Sequence, residues 1–187
     1  MFLQSERLAF RAPERGDADL YVRWLNDPAV YPYLMRDRPL SRVEEEAWLS
    51  NAGGRPDDAV FLIELREGSR PIGGCGLHGV RSPSRAAELG IFIGEADCRE
   101  RGLGREAMEL LCYYGFRMLN LNRIGLRVYE YNPRAIRCYE RAGFRVEGRR
   151  REARYWNGRY WDVVVMGRLA AEGRVERPEP AAALCQT

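Results

Sequence analysis

The chain contains no lysine, so all 30 of its basic residues are arginines. That excludes lysine Schiff-base chemistry and the P-loop lysine that reaches nucleotide phosphates. There is one histidine, His78, inside an apolar, glycine-rich stretch. A Ser-His-Asp or Cys-His device could be built only around that imidazole, and a structural histidine is expected instead. The five cysteines (Cys75, Cys98, Cys112, Cys138, Cys185) form no C-x-x-C pair and leave one over. This argues against a disulfide framework or a zinc site, and no metal is expected. No run approaches the roughly eighteen apolar residues of a membrane span. MFLQSERLAF lacks the basic, apolar and small-residue regions of a signal peptide, so a cytoplasmic protein without a membrane partner is expected. A net charge of only +3 does not make nucleic acid an expected partner.

What is present fits one core: 187 residues, 45% hydrophobic and 30% charged. ERLAFRAP (6–13) reads as an opening strand and RGDADLYVRWLNDP (15–28) as a helix, with Asp17 as its cap and Asp27-Pro28 as its stop. SRVEEEAWLSNAGG (41–54) carries a cap, first-turn acids and a glycine stop in helical order. AVFLIELREG (59–68) and PIGGCGLHGV (71–80) form a hairpin, and AAELGIFIG (86–94) is a further strand. REAMELLCYYGFRMLN (105–120) spaces Met108, Leu111, Cys112, Phe116 and Leu119 as one helical face. RIGLRVYEYN (123–132) is a strand, and PRAIRCYERAGF (133–144) a short helix stopped by Gly143. RVEGRRREARYWNGRYWDVVVMGRL (145–169) is a hairpin turning at Asn157-Gly158. The order β-α-α-β-β-β-α-β-α-β-β predicts an α/β fold with a mixed sheet and helices on its faces. One domain over residues 1–170 is expected, followed by a disordered tail over 171–187.

Between the strand ending at Gly94 and the clearest helix lies CRERGLGREA (98–107). A glycine-containing strand–helix turn is an anion site: first-turn N–H groups point at the anion and the helix dipole favours it. Glycine removes the Cβ that would hold an anion off, and arginines add charge-assisted hydrogen bonds. Neither the Walker pattern nor G-x-G-x-x-G is present, and R-x-x-G-x-G alone is equally a tight turn. A second motif follows 28 residues beyond Gly104: N-x-x-A-x-x-x-Y-x-x-x-G-F, carried by Asn132, Ala135, Tyr139, Gly143 and Phe144.

Together the two motifs resemble the GNAT superfamily of N-acetyltransferases, with element order matching from about Arg7 to Leu169. The final hairpin and WLNDPAV look like the branch of ribosomal-protein and polyamine N-acetyltransferases. The resemblance implies a mostly antiparallel central sheet, splayed where acetyl-CoA enters as co-substrate. It places the pyrophosphate on Arg99, Arg101, Gly102, Leu103, Gly104 and Arg105. The pantetheine arm would lie on Phe92, Ile93 and Gly94, with Asn132 beside it. Tyr139 would protonate the departing thiolate, a role suited to a phenol with an ordinary pKa near 10. The glutamate that some relatives use as base is replaced by Arg127, which leaves Glu88 as the base candidate, acting through water, and Glu130 as another. In the loop, Glu100 is expected to point its side chain away and offer only its N–H. Cys98 and Cys138 allow a covalent route, although buried free thiols are the expected reading.

The resemblance puts the amine acceptor between the first helices and the final hairpin. Those segments carry Asp17, Asp19, Asp27 and Glu44–Glu46 with Trp24, Tyr31, Tyr33, Trp156 and Trp161. Such acids and aromatics suit a cationic amine or an ordinary solvated face equally. A protein N-terminus, a polyamine and another small amine all stay open as acceptors. The run Arg149, Arg150, Arg151 and Arg154 is expected to protect a sheet edge, with an RNA-facing surface as the other reading. A non-catalytic acyl-CoA sensor is the alternative to an enzyme, and a nucleotide-binding protein is third. A homodimer is compatible with the sequence, which carries no signal for oligomeric state.

Overall fold

The computed structural model describes residues 2–52 and 56–173. The expected helix stop at Gly53–Gly54, Cys185 and most of the expected tail lie outside them. Eight strands form one sheet: β1 Leu3–Gln4, β2 Leu8–Arg11, β3 Asp58–Leu65, β4 Arg70–His78, β5 Ala86–Ile93, β6 Arg123–Tyr129, β7 Arg145–Trp156 and β8 Arg159–Leu169. The helices are α1 Ala18–Leu25, α2 Arg42–Ala52, α3 Leu103–Tyr113 and α4 Pro133–Arg141. The spatial order is β1-β2-β3-β4-β5-β6-β8-β7, and only β5 and β6 run parallel. The expected order of elements and the mostly antiparallel sheet are both observed, with β1 as an unpredicted addition. Two residues are too few for an alternating pattern to register.

Alternation along β3 explains the layers. Phe61 and Ile63 face the large core, where α3 buries Leu103, Met108, Leu110 and Leu111. Leu62 points the other way, onto Ala18, Tyr21 and Leu49 of α1 and α2. Each fully buried Leu or Met contributes roughly 1.5–3 kcal/mol, so α3 is held by its apolar face. Its last turn widens into a π-helix over Tyr114–Met118, which closes with Leu119 N–H donating to the Tyr114 carbonyl at 3.0 Å.

Asp17 stands before α1, but its carboxylate does not cap the helix. It accepts from Glu14 N–H at 2.7 Å and from both terminal nitrogens of Arg11 at 2.8 Å. Arg11 also reaches Glu64 at 2.7 Å, which ties β2 and β3 to the start of α1. Ser41 behaves as expected: it exchanges hydrogen bonds with Glu44 as a capping box. Asn157 and Gly158 turn the last hairpin with φ of +50° and +80°. Of the expected tail, residues 171–173 are described, and they continue the folded chain. Ala170–Glu172 form a helical turn, and Glu172 bonds the Leu169 N–H at 2.9 Å and Arg145 at 3.1 Å.

Arg149 lies 3.4 Å from Glu130 on the outermost strand. Arg154 departs from the edge reading. Its side chain is only 12% exposed, paired with Asp37 at 2.5 Å and lying over the rings of Tyr129 and Trp156. It fastens the α1–α2 connection to the sheet.

Candidate functional site

The site begins where a ladder stops. β5 and β6 pair only at Ala86–Arg123, Ala87–Ile124 and Glu88–Gly125. Beyond Glu88, β5 stays with β4 as far as Ile93, while β6 stays with β8 as far as Tyr129. The two halves of the sheet therefore diverge, and a cavity of about 660 Å³ opens in the wedge. Gly94 N–H donates to Ile72 on the β4 side at 2.8 Å. Antiparallel ladders alternate, so the backbone groups of Ile91 and Ile93 face the wedge, where β6 no longer answers them.

This alternation revises the expected strand contacts. Ile93 lines the cavity through a wedge-facing backbone, and Ile91, which the sequence reading passed over, does the same. Phe92 lines the cavity, but its backbone turns to β4 and its ring packs on Tyr21 and Trp24. Gly94 is outside the lining. Its N–H serves Ile72, its carbonyl accepts from Arg99 at 2.5 Å, and a Cβ there would meet the Trp24 ring at 2.2 Å. Glycine at 94 admits an indole.

At one end of the cavity α3 begins two residues earlier than its sequence pattern. Gly102 takes the N-cap position with φ of +78°, a left-handed conformation that glycine adopts without a Cβ penalty. The first intrahelical bond is from Glu106 N–H to the Gly102 carbonyl at 3.1 Å. The N–H groups of Leu103, Gly104 and Arg105 thus have no helical acceptor, and glycine offers no side chain to cap them. Leu103 contributes only backbone, because its side chain is buried. Gly102, Gly104 and Arg105 line the cavity.

The arginines divide by role. Arg99 donates to Asp27 at 2.7 Å and to the Ile93 and Gly94 carbonyls, and its side chain is 14% exposed. It straps the loop to the end of α1 while lining the cavity, so part of its donor capacity is already used within the chain. Its hydrogen bond and charge hold the Asp27 carboxyl below its ordinary range. Arg101 is exposed and outside the lining, and its carbonyl accepts from Arg7 at 3.0 Å. Arg7 also takes up Glu106, so that first-turn acid is turned away from the helix mouth. On α4, Arg134, Arg137 and Arg141 line the same end. Their three- and four-residue spacing marks one helix face, a signal that was legible in the sequence. Glu100 does not turn away as expected: it lines the cavity, pairs with Arg134 at 2.9 Å and holds a left-handed φ of +63°.

Asn132 caps α4, its Oδ1 accepting from Ala135 N–H at 3.2 Å, and it lines the cavity. Tyr139 lines the cavity from α4, and burial, with Cys138 beside it, pushes its phenol up to about 12. Burial also raises the thiols of Cys98 and Cys138, which keeps both protonated at neutral pH and out of a nucleophilic role. Glu88 sits at the last rung of the ladder but outside the lining, with its carboxylate held by Arg127 Nε at 2.5 Å. The base candidate is thus ion-paired and stands apart from the cavity lining. Glu130 is likewise outside the lining. His78 lies 3.1 Å from Asp58, away from the cavity. The far end of the cavity is closed by Tyr33, Leu34 and Met35 of the α1–α2 connection with Arg127 and Tyr129 of β6. Among the described residues, no cluster of three or more His, Cys, Asp or Glu could hold a metal ion.

The sequence profile of the acetyltransferase (GNAT) domain matches residues 7–145. The chain belongs to the GNAT acetyltransferase family. It is an acyltransferase acting on amines. The spermidine N(1)-acetyltransferase of Vibrio cholerae is 31% identical over 160 residues, covering 85% of this chain and 91% of that protein. The putative ribosomal N-acetyltransferase YdaF of Bacillus subtilis is 32% identical over 101 residues, covering 54% of this chain and 55% of that protein. The crystal structure of the Vibrio cholerae spermidine N-acetyltransferase in complex with CoA and spermine superposes with a TM-score of 0.81. It shares 30% identity and covers 89% of this chain and 97% of that one. No helix among the described residues is long and apolar enough to cross a membrane.

Proposed function

We propose that this enzyme binds acetyl-CoA in the sheet wedge and passes its acetyl group directly to a primary amine within a ternary complex. The observation that carries this reading is the combined geometry of the wedge. Wedge-facing backbone groups of Ile91 and Ile93 that β6 does not pair sit at one side, the Ile93 carbonyl being taken by Arg99; a helix N-terminus without a side-chain cap sits at one end, and a protonated phenol on α4. The residues suit the group. Gly102 and Gly104 leave room for a pyrophosphate, Arg105 and the α4 arginines supply cations, and the wedge-facing strand can pair with the amides of the pantetheine arm.

Acetyl-CoA supplies the acyl group as an activated thioester. The backbone N–H groups of the β5 wedge face are placed to polarise its carbonyl. As the acceptor nitrogen bonds to the carbonyl carbon and the carbon–sulfur bond breaks, Tyr139 gives its phenolic proton to the sulfur. It regains a proton from solvent. A phenol near 12 is fully protonated at neutral pH and so is present as a hydrogen-bond donor to the departing sulfur; because a thiol near 8.5 is the stronger acid, the transfer is completed by solvent reprotonating the phenol. Asn132 uses Oδ1 on its helix and keeps its amide NH₂ for the cofactor arm. With Glu88 paired to Arg127, the acceptor ammonium gives its proton to water and the neutral amine attacks; the second N–H proton, released as the amide forms, also passes to water. A cytoplasmic location is part of this reading, supported by the free, buried thiols of Cys75, Cys98 and Cys112.

Tyr139→Phe tests it. The variant should bind CoA as the wild type does and lose about 10²–10⁴-fold in kcat. Unchanged turnover would remove Tyr139 from the chemistry. A sensor without activity would show CoA binding and no turnover in the wild type.

A further inference from the structure

The acceptor end of the cavity is short of negative charge. Of the residues that line the cavity, one is acidic, Glu100, and it lies at the α3 end paired with Arg134. Four of the six acids that the sequence offered for a cationic acceptor are held by arginines of the chain itself, while Asp19 is exposed 3.4 Å from Arg42 and Glu45 is buried, where the fold favours its neutral form. Asp17 is held by Arg11, Asp27 by Arg99, Glu44 by Arg38 and Glu46 by Arg42. Arginines also occupy faces of three of the five aromatics expected to take an ammonium: Arg23 lies over Trp24, Arg154 over Trp156, and Arg159 over Trp161 at 3.3 Å.

What lines the acceptor end is a cation with apolar and aromatic neighbours. Arg127 stands two residues past Gly125, the last rung of the β5–β6 ladder, so its guanidinium sits where the wedge opens. Leu126 and Val128 point into the core beneath α3. Strand alternation puts Arg127 and Tyr129 on the opposite face, towards Tyr33, Leu34 and Met35. Glu88 engages Arg127 through Nε at 2.5 Å, which fixes the plane of the fork and leaves its terminal nitrogens as donors.

We infer that the acceptor is an amine that carries its own carboxylate, an amino acid with an apolar or aromatic remainder, and that Arg127 reads the carboxylate. Glu88 is a positioning residue that orients Arg127. Two parallel hydrogen bonds from a guanidinium to a carboxylate fix the molecule, so that its amine is presented at the wedge. A polycation of the spermidine type would bring further ammonium groups against Arg127 with no free carboxylate in the lining to meet them. This inference rests on the acyl-transfer reading and narrows it.

The test uses the full chain with acetyl-CoA and follows thiol release with phenylalanine, with 2-phenylethylamine (the same amine without the carboxylate) and with spermidine. Phenylalanine should exceed phenylethylamine in kcat/KM by at least about tenfold, because a site built for a polar group rejects the analogue lacking it. Spermidine should be the poorest of the three. Arg127→Gln should bring the phenylalanine-to-phenylethylamine ratio close to one. Arg127→Lys, which keeps a charge and a long stem but not the fork, should restore only part of it. Glu88→Gln should raise KM for phenylalanine several-fold with kcat little changed, whereas a misfolded variant would lose both. The inference is overturned if spermidine is the best acceptor, if the ratio survives Arg127→Gln, or if acetyl-CoA binds and phenylalanine accepts nothing. Absence of a thermal shift with acetyl-CoA would instead sink the acyl-transfer reading, and this inference with it.

Discussion

Replacing Gly73 by alanine puts a methyl group between β4 and β5 at the wall of the cavity. The added Cβ would stand 2.2 Å from the Phe92 carbonyl oxygen and 3.0 Å from the Ile93 Cα. Contacts below 3.0 Å are not sustained, so the strands must part by about 0.8 Å against backbone atoms that cannot rotate aside. That displacement takes the 2.8 Å bond from Gly94 N–H to the Ile72 carbonyl beyond hydrogen-bonding range. Overpacking costs about 1–3 kcal/mol and the lost bond about 1 kcal/mol, together about 2–4 kcal/mol. For a chain of this size the melting point should fall by about 5–15 °C. The KM for acetyl-CoA should rise, since the wedge face of β5 is registered by that bond. Gly148→Ala is the control: nothing lies within 4 Å of its Cβ position, and its effect should stay within about 0.5 kcal/mol. Thermal unfolding by circular dichroism measures both. If Gly73→Ala melts within about 2 °C of Gly148→Ala, the close-approach account of the glycine-rich strand is wrong.

Glu100→Gly relieves a left-handed residue at the cost of an exposed ion pair with Arg134; the two are each worth about 1 kcal/mol, so stability should barely change. The same change removes a carboxylate from the phosphate end and should tighten CoA binding by roughly threefold to tenfold in a calorimetric titration; weaker binding would show that the carboxylate helps to hold the ligand. Burial raises the pKa of Glu45, with Arg36 opposing, so the fold favours its neutral form. Its contribution is fully present below the ordinary carboxylate pKa and is lost as pH rises through the raised folded value. Glu45→Gln should therefore be more stable than wild type at neutral pH, with the gain vanishing towards about pH 4 in urea titrations. A gain that is constant with pH would contradict this. Activity should show no loss from Tyr139 ionisation up to about pH 10, because the phenol titrates near 12.

The parts of the site that were readable from the chain are those built from neighbouring residues. The anion mouth is one, since Gly102, Gly104 and Arg105 follow each other into α3. Asn132 and Tyr139 are another, seven residues apart on α4 and at its cap. What escaped was set by partners distant in sequence. Arg99 reads as a free cation in the sequence, where nothing shows that Asp27, 72 residues away, shares its guanidinium. Glu88 looks like a base until the parallel pairing of β5 and β6 brings Arg127 alongside, 39 residues on. Gly94 looks like a glycine for backbone pairing until α1 lays Trp24 on it. Which backbone groups of β5 face the wedge depends on the rung at Ile72, which nothing in AAELGIFIG specifies. The α1–α2 connection lacks periodicity, so Tyr33, Leu34 and Met35 gave no sign of closing the cavity.

The most direct test of the account is thermal unfolding of the purified chain with acetyl-CoA, CoA, ATP and NADH in parallel. A ligand at a hundred times its dissociation constant stabilises by about 2.7 kcal/mol, which here means a rise of about 5–11 °C. The account predicts that rise with acetyl-CoA and with CoA, and none with NADH. No shift with either CoA species at millimolar concentration would mean that the wedge is not a cofactor site and that Gly102 and Gly104 merely turn the chain.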